Sequence, residues 1–131
     1  MAAKRVLSVG QCFADHGAIS RTLEEHFAAE VVPAATTEEV KAELQQRHYD
    51  LILVNRIFDV DGSSGLTLIE QLKQDESTRH IPVMLMSNFE DVQGQAVAKG
   101  ALAGFGKASL GQPLMIRRLQ CALGGQSRLS E

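Results

Sequence analysis

The stretch Asp50-Leu51-Ile52-Leu53-Val54-Asn55 decides the fold. Its four middle residues are all aliphatic, so an extended segment here has no polar face. Such a strand belongs inside a parallel sheet covered on both sides. Working outward, four more apolar runs appear: Val6-Leu7-Ser8-Val9, Val31-Val32-Pro33-Ala34, Ile81 to Met86, and Ala101 to Gly106. Gly104 and Gly106 weaken the last. Amphipathic stretches alternate with these runs. Ile19, Leu23 and Phe27 recur at helical spacing, and Thr36 with Glu39 matches a capping box ahead of Val40 and Leu44. Leu68, Ile69 and Leu72 mark a third helix. Residues 91–99 make a fourth, softened by Gly94, and Pro113 opens a fifth carrying Met115, Leu119 and Leu123.

Strand–helix alternation at this pitch predicts an α/β fold, a three-layer, doubly wound sheet of five parallel strands with five helices. Pro33 has no amide hydrogen to give a ladder, which places the second strand at an edge. The flavodoxin-like strand order 2-1-3-4-5 satisfies that constraint. In such sheets function gathers beyond the carboxyl ends of the strands, here at Gly10, Gln11, Asn55, Ser87, Asn88 and Lys107.

The chain has 131 residues, 44% hydrophobic and 22% charged, which excludes a disordered chain, a collagen-like repeat and a disulfide-stapled miniprotein. One domain is expected, with its core at about 4–123 and residues 124–131 frayed. Cys12 and Cys121 show no metal-ligand spacing and predict reduced thiols in a cytoplasmic protein. His16, His26, His48 and His80 are equally scattered, so neither a metal nor a cofactor is expected. No apolar run suits a signal peptide or a membrane span. The net charge of -3 argues against nucleic acid. That charge is unevenly spread: from Val92 to Ser130 there is no Asp or Glu, while Lys99, Lys107, Arg117, Arg118 and Arg128 all fall there. Such a patch can steer a partner of opposite sign.

Four segments, DLILVN, GLTLIEQLK, IPVMLMSN and KGALAGFGK, lie in an order and at intervals that resemble the CheY-like receiver domain of two-component response regulators. The resemblance runs over roughly residues 4–123. It implies two acidic residues after the first strand, a phosphoaccepting aspartate after the third, a Ser or Thr after the fourth and a lysine after the fifth. Ser87 and Lys107 match. The acidic pair is replaced by Gly10-Gln11, the acceptor by Asn55, and the usual proline after the lysine by Ala108.

These replacements remove the chemistry. A carboxamide is no anionic nucleophile, and Mg²⁺ prefers charged oxygens that Gly10, Gln11 and Asn55 do not supply. The resemblance therefore implies a pseudo-receiver, not an enzyme, that signals without phosphorylation through protein–protein contact. Lys107 then needs a new partner, the Asn55 oxygen, Asp59, Asp61 or a solvent anion, or else partial exposure. A structural tether between strand ends is expected over an anion site with Ser87. The family's switch aromatic, three residues before the lysine, is Gly104, and Phe105 beside it has the opposite strand parity. The surface is thus expected to be fixed in one state.

The same residues admit other chemistry. Asp59, Asp61, Ser63 and Glu70 fall at calcium-loop spacing, but Ser64 stands where the loop needs glycine. Asp59 or Asp61 remains an alternative, displaced phosphoacceptor. Ser87 with Lys107 lacks the third group of a catalytic set, and Cys12 near a helix start reads as packing. A flavodoxin-like ligand binder using the strand-end crevice is the remaining alternative. The family's interface of fourth helix, fifth strand and fifth helix coincides with the carboxylate-free region. Lys99, Arg117 and Arg118 are therefore expected to meet an acidic protein partner, a histidine kinase, another signalling protein or a second copy in a homodimer.

Overall fold

The central strand β3 (Leu51–Asn55) is hydrogen-bonded to β1 (Arg5–Val9) on one side and β4 (Val83–Met86) on the other. Beyond β1 lies β2 (Glu30–Ala34), and beyond β4 lies β5 (Leu102–Phe105). All pairings are parallel and the order is β2-β1-β3-β4-β5, a flavodoxin-like, CheY-like sheet. The computed structural model describes residues 4–124. The expected frayed tail, with Arg128, therefore lies outside the described residues except for Gly124, which closes the last helix in a left-handed conformation. Pro33 sits on edge strand β2, opposite Ser8.

Alternation along the strands divides the core in two. Leu7, Val9, Ile52, Val54, Val83 and Leu85 face α2 (Thr37–Gln46), α3 (Gly65–Gln74) and α4 (Glu90–Ala98). Val6, Leu51, Leu53, Met84, Met86 and Phe105 face α1 (Phe13–Phe27) and α5 (Pro113–Leu123). Phe105 thus packs away from α4, as its parity required.

Local chemistry sets most boundaries. Thr36 Oγ1 accepts from the Glu39 amide (3.1 Å), while Glu39 Oε1 reaches the Ala35 amide (2.8 Å) rather than that of Thr36. The expected capping box is therefore shifted by one residue on its return arm. Helix α4 runs from Glu90 to Ala98, not 91 to 99, and has no side-chain cap at Phe89. Strand β5 forms despite Gly104, and both Gly104 and the following Gly106 stand where a side chain has no room. A Cβ at Gly106 would lie 1.8 Å from Asn88 Oδ1, which accepts from the Ala108 amide. Met84 pairs with Leu102 and Met86 with Phe105, so β5 carries one extra residue against β4. That is a bulge, and Gly104 sits in it.

Candidate functional site

The β1–α1, β3–α3 and β4–α4 loops converge beyond the carboxyl ends of the strands. The turn after β3 folds back as a small hairpin. Phe58 N donates to Ser63 O (2.9 Å), Gly62 N to Phe58 O (2.8 Å), and Ile57 bridges Ser64. Asp59 N then donates to Gly10 O (2.9 Å), tying this hairpin to the β1–α1 loop. The consequence is that Phe58 is turned inward and fully buried.

Phe58 occupies the space above Gly10. A Cβ built on Gly10 would stand 2.5 Å from Phe58 Cδ1 and 2.8 Å from Cγ, and Gly10 has φ of +75°. Both facts require glycine here. Asn55 completes the closure. Its Nδ2 donates to Gly10 O (3.0 Å) and to Ile57 O (2.8 Å). Two carbonyl acceptors fix the orientation of the amide, and a carboxylate could donate to neither. Gln11 turns toward the α1–α5 side, with Nε2 3.3 Å from Met86 Sδ, while its Oε1 is buried without a partner.

The Mg²⁺ implied by the receiver resemblance does not fit these residues. One required side chain is absent, its volume holds a phenyl ring, and Asn55 presents donors to protein carbonyls. No group of three or more His, Cys, Asp or Glu is placed to hold a metal ion among the described residues. The calcium-loop spacing is not assembled either. Asp61 Oδ1 accepts from the Ser63 amide (2.9 Å), and Glu70 on α3 faces Lys99 on α4 (3.7 Å). Asp59 and Asp61 are exposed on the outside of the hairpin.

Lys107 is half exposed, one of the arrangements expected for it. Its close ion pair is with an unforeseen group, Asp15 Oδ2 at 2.5 Å in the first turn of α1, while Asp59 acts on it from farther away. Asp15 was not singled out from sequence, since an acidic residue in a first helical turn is ordinary. The Cys12 Sγ accepts from the Asp15 amide (3.5 Å) as the cap of α1, a structural role by capping and not by the packing expected of it. No Ser87–Lys107 anion site forms: Ser87 Oγ accepts from the Phe89 amide (3.2 Å).

The hydrogen bond from Lys107 holds the Asp15 carboxyl below its ordinary 3.8, and Asp15 holds Lys107 above 10.5. A depressed carboxyl pKa adds stability that is complete above 3.8 and lost as pH falls through the folded value. A raised lysine pKa adds stability complete below 10.5 and lost as pH rises through the folded value. The pair therefore holds across the neutral range. Lys107 is half exposed, so the pair contributes under about 1 kcal/mol at neutral pH. Lys107→Met is expected to raise the Asp15 titration midpoint toward 3.8 in a carboxyl-detected NMR titration, with little loss of stability. An unmoved midpoint would show that the two groups do not meet.

The switch position is built over rather than merely vacant. From α4, Gln93 Nε2 donates to Leu85 O (2.8 Å) and Ser87 O (3.0 Å), and its Oε1 accepts from the Gly104 amide (2.9 Å). Arg118 Nη1 on α5 donates to Gly104 O. A Cβ at Gly104 would meet Leu85 O at 2.2 Å, so no aromatic ring can stand there with this backbone. Two of the three expected interface cations are therefore already engaged: Arg118 with Gly104, and Lys99 with Glu70. Arg117 is exposed and has no ion-pair partner among the described residues.

No protein-family model matches this chain, and no curated protein matches it. Solved structures do. The chain superposes on the chemotaxis response regulator CheY4 of Vibrio cholerae with TM-score 0.73 and 21% identity, covering 93% of this chain and 100% of that one. On the signal receiver domain of the DNA-binding response regulator merR from Colwellia psychrerythraea 34H the TM-score is 0.77 at 20% identity, covering 92% and 98%. NtrX from Brucella abortus gives 0.77 at 19% identity, with 94% of this chain matching 28% of that one. At such identities the likeness is one of fold, and the fold is that of receiver domains. Among the described residues no helix is long and apolar enough to cross a membrane.

Proposed function

We propose that this domain is a receiver-type signalling module that works without phosphorylation and without catalysis, through protein–protein contact. The observation carrying this reading is the Phe58 ring seated where the side chain of residue 10 would project. Asparagine is isosteric with aspartate, so an acceptor replaced in this way alone leaves the space around it unchanged. Here the pocket has been refilled, and Asn55 is bonded to the backbone on both sides of it.

The same ring speaks against a small-ligand binder. In a sheet of this order the ligand crevice opens at the switch point between β1 and β3. Phe58 and the Asp59–Gly10 hydrogen bond close that position. Tyr49, the chain's single tyrosine, is buried with its hydroxyl donating to Glu43 (2.7 Å), and burial pushes its pKa up to about 12. It has no free ring face to offer a flavin.

The partner surface in this reading is the α4–β5–α5 face. Arg117 is the cation free to meet an acidic partner, and Gln93 with Arg118 holds the face in one arrangement. Incubation of the protein with acetyl phosphate and Mg²⁺, followed by intact mass, tests the proposal. No phosphoryl adduct is expected. A base-labile adduct mapped to Asp59 or Asp61 would overturn it in favour of a displaced acceptor.

A further inference from the structure

Four large apolar side chains stand in solvent at the carboxyl end of the sheet: Phe13 is 93% exposed, Val60 61%, Phe89 59% and Ile57 49%. They come from the start of α1 and from the β3–α3 and β4–α4 loops, and one backbone hydrogen bond and one side-chain contact join these segments. The Asp59–Gly10 hydrogen bond sets the hairpin bearing Ile57 and Val60 against the turn leading to Phe13. Arg56 lies 5.9 Å from the centre of the Phe89 ring, linking the hairpin to the β4–α4 loop. Phe58 fills the middle from below. The result is an apolar rim around a closed floor, whereas single exposed apolar residues are ordinarily scattered.

The charges bordering this rim are mostly negative, with Arg56 the one cation among the described residues here that has no carboxylate partner. Asp15 is neutralised by Lys107, and Arg56 is spread over Phe89. Asp61, Glu90 and Asp91 have no ion-pair partner among the described residues, and Asp59 forms no close pair but lies within the field of Lys107. Apolar area bordered by unpaired carboxylates is the complement of a cationic, apolar segment. It repels a phosphorylated donor or an anionic lipid surface.

We infer that this rim is a second docking surface, taking a basic amphipathic segment of a partner protein. Aromatic or aliphatic side chains of the segment cover Phe13, Val60 and Phe89, and its Lys or Arg residues meet Asp59, Asp61, Glu90 and Asp91. The aromatic pair supplies the anchoring contacts, and the carboxylates supply orientation and rate of approach. This surface adjoins the α4–β5–α5 face at the first turn of α4 but is distinct from its far part, where Val97 and Leu102 are the exposed apolar residues.

The test is a titration of the isotope-labelled chain with two synthetic amphipathic peptides of equal length, one of Leu and Lys, the other of Leu and Glu. The Leu/Lys peptide is expected to shift the amides of Phe13, residues 57–61 and residues 89–91. Its affinity should fall at least about tenfold in the Phe13→Ser, Phe89→Ser double variant. It should stay unchanged in Val97→Ser, Leu102→Ser. All four positions are exposed, so both variants should melt where the parent does. Absence of binding, equal binding of the Leu/Glu peptide, shifts centred on residues 95–105, or indifference to the Phe13 and Phe89 changes would each overturn the inference. Concentration-dependent shifts at the same amides without peptide would also overturn it, by making the occupant a second copy of this chain. None of these results depends on the acetyl phosphate experiment.

Discussion

Phe58→Ala is expected to cost about 3–5 kcal/mol, the usual range for emptying a fully buried phenylalanine site. Gly10→Asp should cost about 3 kcal/mol, from overpacking against the ring and from a side chain at φ of +75°. The two changes touch the same volume, so they should not add. Removing the ring clears the space that a Cβ at position 10 needs, and the double variant should recover at least about 1 kcal/mol of the summed loss. A double-mutant cycle in urea measures this directly. Strict additivity would mean that Phe58 does not occupy the position above residue 10, and the main functional reading would lose its support. Asn55→Asp belongs to the same site. It loses both side-chain donations and sets a carboxylate against Gly10 O and Ile57 O, for about 2–3 kcal/mol. Reverting the acceptor alone should therefore yield a weaker protein and still no phosphoryl adduct.

Gln93→Ala should have the next largest effect. It removes three hydrogen bonds at once and leaves the Gly104 amide and the Leu85 carbonyl without their partner beneath α4. Truncation of a part-buried network of this kind costs about 2–3 kcal/mol, and more if water cannot enter. The loss should also be local. Gln93 joins α4 to β4 and β5, and α4 has neither a side-chain cap nor a helix-favouring residue at Gly94. Amide hydrogen exchange should quicken across residues 90–105 before it does in β1 or β3. Uniform quickening over the whole sheet would show that Gln93 contributes only to global stability and does not hold this face.

The framework of this protein is legible in its residues. Leu51-Ile52-Leu53-Val54 announces a doubly buried strand, Pro33 places β2 at an edge, and strand parity sends Phe105 toward α1 and α5. Thr36 and Pro113 mark helix starts. These signals are legible because each depends on neighbours within a turn or on the period of the element. That Gly10, Gln11 and Asn55 stand at strand ends is legible for the same reason, whereas the expectation of acidic groups there came from the resemblance to receiver domains.

What replaced those groups was not legible. Phe58 lies in a polar loop, and its burial depends on a hairpin that returns to Gly10. Gln93 reads as one polar residue on a soft helix until the bulge in β5 brings the Gly104 amide within its reach. Arg118 and Lys99 read as free cations until Gly104 on β5 and Glu70 on α3 supply their partners. Asp15 became the partner of Lys107 only because the first turn of α1 lies beside the turn after β5. The sequence alone determined which elements form and that the strand ends carry the neutral residues Gly10, Gln11 and Asn55, since both follow from local periodicity and residue identity. Tertiary structure alone decided what fills the vacated volume and which cations stay free. Contacts between chain-distant residues depend on how loops pack, and no local pattern encodes that.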